Sequence, residues 1–292
     1  MIFHGVMTAL VTPFQTDGSV DLAGFRALVR RQLSGGVQGL VPCGTTGEAP
    51  TLSRDEQRQL IGACVEEAAK QAPVLAGIGS NNTAAAIENA KQAQELGAHG
   101  VLATAPYYNK PTQEGLYRHF MAIADAIDIE VCLYDVPGRT NLKMAPETIL
   151  RLADHPNITT LKDATGDLAH ASRVLRACEG RLTVLSGDDF TTLPHLTVGG
   201  SGCISVASNV VPDLMATMVG AARSGDLSKA REIHNGLFPL FDALFVQTNP
   251  LPVKAALARL GLCHDVFRLP LCPMDEAARP TLHEAMDALK LS

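Results

Sequence analysis

Eight short β-rich runs alternate with helical patterns over most of the 292 residues, which predicts an α/β protein built as a (β/α)8 TIM barrel with a small C-terminal helical extension. Two further observations agree. The chain is 46% hydrophobic, enough for one large core, and barrels of this kind commonly reach ~250 residues as a single domain. After the eighth run the pattern becomes purely helical. Periodicity does not report closure, so an open doubly wound sheet stays the alternative.

The strands are expected at 6–11, 39–43, 74–78, 100–103, 130–134, 158–162, 182–186 and 203–206. Helical spacing fills the intervals at 21–33, 54–71, 83–96, 113–126, 146–153, 168–178 and 190–197. Beyond about Pro212 only helical segments remain, at 214–223, 227–244, 252–260 and 275–289. The first of these completes the barrel. The expected division is therefore a catalytic barrel at 1–224 and a helical extension at 225–292, with the prolines at 250, 252, 270 and 273 marking helix starts and loops.

Composition narrows the function. A formal charge of −6, 18% charged residues and no Lys/Arg run leave no basic patch for a nucleic-acid backbone or an anionic membrane surface. Small-molecule partners are favoured, and single cations at strand ends become informative. The seven cysteines include no C-x-x-C pair and read as reduced, buried apolar residues. The nine histidines show no metal-ligand spacing, so no metal is expected. A strand begins within a few residues of the start, without the regions of a signal peptide, and no segment approaches the ~20 apolar residues of a membrane span. The expected compartment is the cytoplasm.

Four segments carry chemistry. Ile158-Thr159-Thr160-Leu161-Lys162 places one lysine at the end of a β-branched run. In a barrel that position faces a partly desolvated cavity, where a neutral amine can attack a carbonyl carbon and form an imine. Alone the signal is weak, because most strand-end lysines are simply solvated. The second strand runs into Cys43-Gly44-Thr45-Thr46-Gly47-Glu48, whose hydroxyls and backbone amides suit a carboxylate; a tight βα turn with a capping threonine is the plainer alternative. The fifth ends in Tyr134-Asp135-Val136-Pro137-Gly138-Arg139-Thr140, where a phenol can relay protons and a guanidinium can grip a carboxylate. Read blandly, Pro-Gly is a turn, Tyr134 is core and Arg139 is a solvated charge. The fourth leads into Ala105-Pro106-Tyr107-Tyr108-Asn109-Lys110-Pro111, an aromatic pair suited to a subunit contact, to an active site, or merely to covering the barrel end.

In a barrel all four meet at the carboxyl-end face. With GTTGE, PYYNKP, YDVPGRT and LKDATG in this order, the chain resembles the pyruvate-dependent, Schiff-base class I aldolase superfamily, which includes the N-acetylneuraminate lyases, and within it the dihydrodipicolinate synthase family. The likeness runs from Gly5-Val6-Met7-Thr8 to the helical tail. It implies a lyase that condenses pyruvate with L-aspartate 4-semialdehyde to 4-hydroxy-tetrahydrodipicolinate, in diaminopimelate and lysine biosynthesis, without cofactor. It further implies that Lys162 forms the imine, that Thr45, Tyr134 and Tyr108 relay protons, and that Tyr108 serves the neighbouring subunit's site. Thr46 would hold the pyruvate carboxylate, Arg139 that of the semialdehyde, and Gly187 and Ile204 would line the pocket through backbone groups. A homotetramer, as a dimer of dimers, is implied. Asp135 stands where many members carry asparagine. In lysine-inhibited members a glutamate and histidines contact lysine; Asn81 and Tyr107 match, but Ala85, Arg54 and Gln57 depart, so weak or absent feedback is expected, partly from the added charge of Arg54. The alternatives are a sialic-acid or sugar-acid aldolase of the same superfamily, or a non-catalytic binding barrel. Gly199-Gly200-Ser201-Gly202 precedes the eighth strand and is read as an αβ connection rather than a phosphate loop.

Overall fold

The computed structural model describes residues 2–291. Its barrel strands are β1 (Gly5–Ala9), β2 (Gly39–Val41), β3 (Leu75–Gly77), β4 (Gly100–Thr104), β5 (Glu130–Asp135), β6 (Ile158–Asp163), β7 (Thr183–Ser186) and β8 (Gly202–Ser205). The helices are α1 (Leu22–Ser34), α2 (Arg54–Ala68), α3 (Thr83–Glu95), α4 (Gln113–Ala124), α5 (Pro137–Thr140), α6 (Pro146–Leu152), α7 (Leu168–Cys178), α8 (Thr192–Thr197), α9 (Pro212–Arg223), α10 (Leu227–Ala243), α11 (Leu251–Arg259) and α12 (Arg279–Ala288). Polar side chains at their N-termini satisfy free amides: Asp21 caps α1, Asn82 α3, Thr112 α4 and Asp167 α7, while Ser53 and Glu56 form a reciprocal capping box on α2. Each such cap is worth ~1 kcal/mol.

All strand pairs are parallel, in the order β2-β1-β8-β7-β6-β5-β4-β3. The ring is completed between β2 and β3, where Leu40 bridges Val74, the Leu40 amide donates to the Pro73 carbonyl (3.0 Å) and the Gly77 amide to the Pro42 carbonyl (2.9 Å). Gly77 is required there, because a Cβ would press into the Cys43 carbonyl. The sheet is a closed barrel rather than an open one.

Strand alternation divides the core in two. Phe3, Met7, Val41, Leu75, Leu102, Cys132, Leu185 and Ile204 fill the barrel interior, while Val131, Leu133, Leu161 and Val184 face the helices. Beyond β8 the helices return over the carboxyl-end face. Lys254 of α11 is wholly buried and donates to Glu48 Oε1 and to the Val266 carbonyl, each at 2.6 Å, with its ammonium 4.3 Å from the Phe14 ring centroid. The extension is thus packed into the loop that follows β2. One expectation needs correcting: among the cysteines, all free, Cys272 is exposed and Cys263 half-buried, while Pro137–Thr140 forms a helical turn. The final helix also starts later than expected, after a 3-10 turn at Glu276–Ala278. No helix among the described residues is long and apolar enough to cross a membrane.

A buried carboxylate stripped of its cation is destabilised more than the intact pair stabilises. Lys254→Met should therefore lower unfolding stability by ~3–5 kcal/mol, and Lys254→Met combined with Glu48→Gln should recover most of it. Urea denaturation checks this; a single variant within 1 kcal/mol of the parent, about the worth of an exposed pair, would contradict it.

Candidate active site

Tyr134 and Lys162 are register partners on β5 and β6, so both side chains enter the barrel at its carboxyl end. The Lys162 amine lies 4.2 Å from the Tyr134 ring centroid, and the lysine is only 6% exposed. The next residues on each strand, Asp135 and Asp163, are also register partners and turn outward to the helix layer. The ladder continues past the strands: the Ala164 amide donates to the Asp135 carbonyl (2.9 Å) and the Gly187 amide to the Asp163 carbonyl (2.7 Å). Gly187 permits this closeness, since a Cβ would lie 2.6 Å from that of Ala164.

Lys162 opens on a cavity of about 70 Å3 that Thr45, Thr46, Arg139, Gly187, Asp188 and Asn249 help to line. A wider cleft of about 250 Å3 lies next to it and shares Gly44, Thr45, Leu102, Tyr134 and Arg139 as lining residues. Thr45 stands at the junction. Thr46 is buried behind it, and its hydroxyl accepts a hydrogen bond from the Asn249 side-chain amide at 3.0 Å. The Asn249 carbonyl in turn accepts from the Arg139 guanidinium at 3.0 Å. One residue of the extension therefore ties the threonine turn to the cation at the mouth.

Arg139 sits on α5, whose amides at 139 and 140 donate back to the Val136 carbonyl. The turn is anchored at its far end by the Asp135 carboxylate, which accepts from the Met144 amide at 3.0 Å. Asp188, half-buried, lies beside the lysine. Burial pushes its carboxyl up to about 6, and the charge of Lys162 opposes that rise. Asp189 points the other way and clamps the end of β8, accepting from the amides of Val206 (3.0 Å) and Ala207 (2.8 Å). The chamber thus presents an enclosed amine, a phenol, a hydroxyl, a carboxyl and a mouth cation. That set suits imine chemistry on a small keto acid and capture of a second anion.

Of the residues singled out in the sequence, Lys162, Tyr134, Thr45, Thr46, Arg139 and Gly187 converge on this chamber. Ile204 is fully buried in the interior cluster, and Val206, two residues further, reaches the cavity wall. Tyr108 does not join them: it is 89% exposed, with a left-handed φ of 69°, on a loop pinned by Asn81 and Asn109. Asp188 and Asn249 were not singled out. Asp188 had a signal, an acid pair directly after strand seven; Asn249 had none, because its contact is created by the return of the extension. Among the described residues no group of three His, Cys, Asp or Glu side chains is arranged to hold a metal ion. Arg54 pairs with Glu88 at 2.5 Å on the exposed surface.

A sequence model described as the dihydrodipicolinate synthetase family matches residues 2–289. The chain is 48% identical over 290 residues to the 4-hydroxy-tetrahydrodipicolinate synthase of Pelobacter propionicus, covering 99% of this chain and 100% of that one. It superposes with a TM-score of 0.98 on the crystal structure of dihydrodipicolinate synthase from Thermotoga maritima, at 43% identity with complete coverage of both chains. The chloride-inhibited dihydrodipicolinate synthase of Acinetobacter baumannii, solved in complex with pyruvate, gives the same TM-score of 0.98 at 41% identity and covers both chains fully. The chain belongs to the dihydrodipicolinate synthetase family.

Proposed function

We propose that this chain, in the cytoplasm, condenses pyruvate with L-aspartate 4-semialdehyde to 4-hydroxy-tetrahydrodipicolinate, the reaction named for its full-length relatives. The single observation that carries the mechanism is the enclosed Lys162 amine, 4.2 Å from the Tyr134 ring centroid in a small cavity with a mouth cation. The neutral amine adds to the ketone of pyruvate, and loss of one water gives an iminium. The iminium withdraws electrons from the adjacent methyl group, which loses a proton and leaves an enamine. The enamine carbon attacks the aldehyde of the second substrate, forming the carbon–carbon bond. The amino group of that substrate then attacks the imine carbon, closes the ring and expels Lys162 as a free amine.

Tyr134 and Thr45 carry protons between the reacting atoms and the cleft, because both meet the inner cavity and the outer one. Thr46 and the backbone amides of its turn receive the pyruvate carboxylate. Arg139 receives the carboxylate of the semialdehyde, steadied by the Asn249 carbonyl. A sugar-acid aldolase of the same superfamily would need hydroxyl-recognising groups around a longer aldehyde, and a guanidinium at the mouth favours a short carboxylated one instead.

Arg139→Ala should lower kcat/KM for the semialdehyde by roughly thirtyfold or more, since a charge-assisted contact of about 2 kcal/mol or more is lost. Imine formation with pyruvate should change little. Equal damage to both steps would show that Arg139 supports the fold rather than the second substrate.

The 89% exposure of Tyr108 on a pinned, left-handed loop supports a proton relay completed across a subunit contact; the homotetramer, as a dimer of dimers, is proposed from the family resemblance. Tyrosine is a residue type enriched at subunit contacts, where its ring packs and its hydroxyl stays free to bond. Tyr108→Phe and Lys162→Ala homo-oligomers should each be nearly inactive. Mixed under conditions of subunit exchange they should regain activity, because some pairs then hold one complete site. Proven exchange without recovery would assign Tyr108 to its own protomer's site.

A further inference from the structure

The second substrate of the proposed condensation carries an aldehyde that reacts, a carboxylate and an α-ammonium. Arg139 receives the carboxylate, which leaves the ammonium without a partner. Few charges are available to it. Among the residues lining the inner cavity and the neighbouring cleft, Lys162 and Arg139 are the cations and Asp188 is the single acid.

The backbone of Asp188 is held firmly while its side chain is left free. The residue follows β7 and Gly187 and precedes the 3-10 turn Asp189–Thr191. The Ser186 hydroxyl accepts from the Asp188 amide at 3.3 Å and donates to the Asp188 carbonyl at 2.8 Å, and the Thr192 hydroxyl donates to the same carbonyl at 2.9 Å. The Asp188 side chain makes no capping bond to the turn it precedes, and among the described residues its carboxylate accepts no hydrogen bond and forms no ion pair. Asp189 does the opposite, committing its carboxylate to the amides of Val206 and Ala207. A half-buried carboxylate without a partner is unfavourable unless the working protein supplies one. The mobile positive charge that the reaction brings into this chamber is the substrate ammonium.

We propose that Asp188 binds the α-ammonium of the semialdehyde and takes one of its protons, so that the nitrogen can close the ring. An ammonium has no lone pair, and its nitrogen cannot attack until a proton leaves. The Asp188 carboxylate accepts that proton. The freed pair forms the bond to the imine carbon while the iminium π pair moves to the Lys162 nitrogen. A second proton passes from the ring nitrogen to the Lys162 nitrogen, the bond between carbon and Lys162 breaks, and the lysine leaves as a neutral amine. The ring nitrogen is left as a protonated cyclic imine, which releases its last proton to solvent, as Asp188 does on product release. Burial pushes the Asp188 carboxyl up to about 6, with Asp189 and Asp163 adding to the rise and Lys162 opposing it. It is therefore a stronger base than an exposed aspartate, suited to proton exchange near neutrality.

This role for Asp188 rests on the condensation proposed above, and the test keeps the two apart. Succinate semialdehyde retains the aldehyde and carboxylate of the substrate but lacks the amine. Asp188→Asn removes the charge with little change of shape. Its kcat/KM for L-aspartate 4-semialdehyde should fall by about thirtyfold or more. The loss should appear in kcat as well as KM, because an ammonium that keeps its protons cannot close the ring. Inhibition by succinate semialdehyde should hold or improve, and the borohydride-trapped pyruvate imine on Lys162 should still form, showing that the chamber is intact. Asp188→Ser, smaller and also uncharged, should behave alike. Arg139→Ala, by contrast, should weaken substrate and analogue together. Three results would overturn the role of Asp188: an Asp188→Asn protein that uses the semialdehyde as well as the parent, one that loses the analogue as much as the substrate, or one that loses imine formation equally. The last would assign the carboxylate to Lys162 instead. A loss confined to KM would overturn the proton transfer. In all these cases the condensation stands as long as the parent turns over both substrates; a parent that does not would remove the reaction and the role of Asp188 together.

Discussion

The register in which β5 pairs with β6 from Cys132 and Thr160 onward, past a shift at Val131, is the constraint on which the rest of the molecule depends. It sets Tyr134 beside Lys162 and Asp135 beside Asp163. Because successive strand residues face opposite sides, the same register puts a phenol and an amine in the chamber and two carboxylates in the helix layer. A slip of one residue would exchange them: the amine would lie among apolar helix-facing side chains and an acid would occupy the barrel interior. The register is held by Leu133 and Leu161 in the outer core and by Tyr134 and Cys132 in the inner one. Apolar packing far from any substrate therefore determines which atoms can react.

The extension matters for the same reason. A barrel supplies residues at strand ends, but the loops that follow are mobile unless something holds them. Here Lys254 fixes the turn after β2 through Glu48, whose own φ of 54° is left-handed, and Asn249 spans from Thr46 to Arg139. The contacts of Lys254 with Glu48 and of Asn249 with Thr46 are buried, that of Asn249 with Arg139 is part-buried, and all join residues distant in sequence. The helices after the barrel act as a brace on the chamber, which accounts for a buried ion pair where an apolar pair of similar volume would serve the fold as well.

Much of this was legible in the residues. The β-branched run 158–162 and its lysine, the hydroxyl turn after the second strand and the guanidinium after the fifth all sit where alternation and strand-end logic put them. Strand ends were less legible: Asp135 and Asp163 fall outside the apolar runs, yet both complete the ladder, because a buried carboxylate can pair through its backbone while its side chain finds an amide. Closure was not legible, since the join between β2 and β3 is one bridge and two amide bonds with no hydropathy signature. Nor was Asn249, whose partners Thr46 and Arg139 are set by how the extension packs rather than by any spacing along the chain.

The central claim is that Lys162 is the nucleophile and a small keto acid its partner. It is tested most directly by incubating the purified protein with pyruvate, reducing with borohydride and mapping the modified peptide by mass spectrometry. The account predicts one pyruvate-dependent adduct per chain, on Lys162. An adduct on another lysine, or none under conditions where the protein turns over, would contradict it.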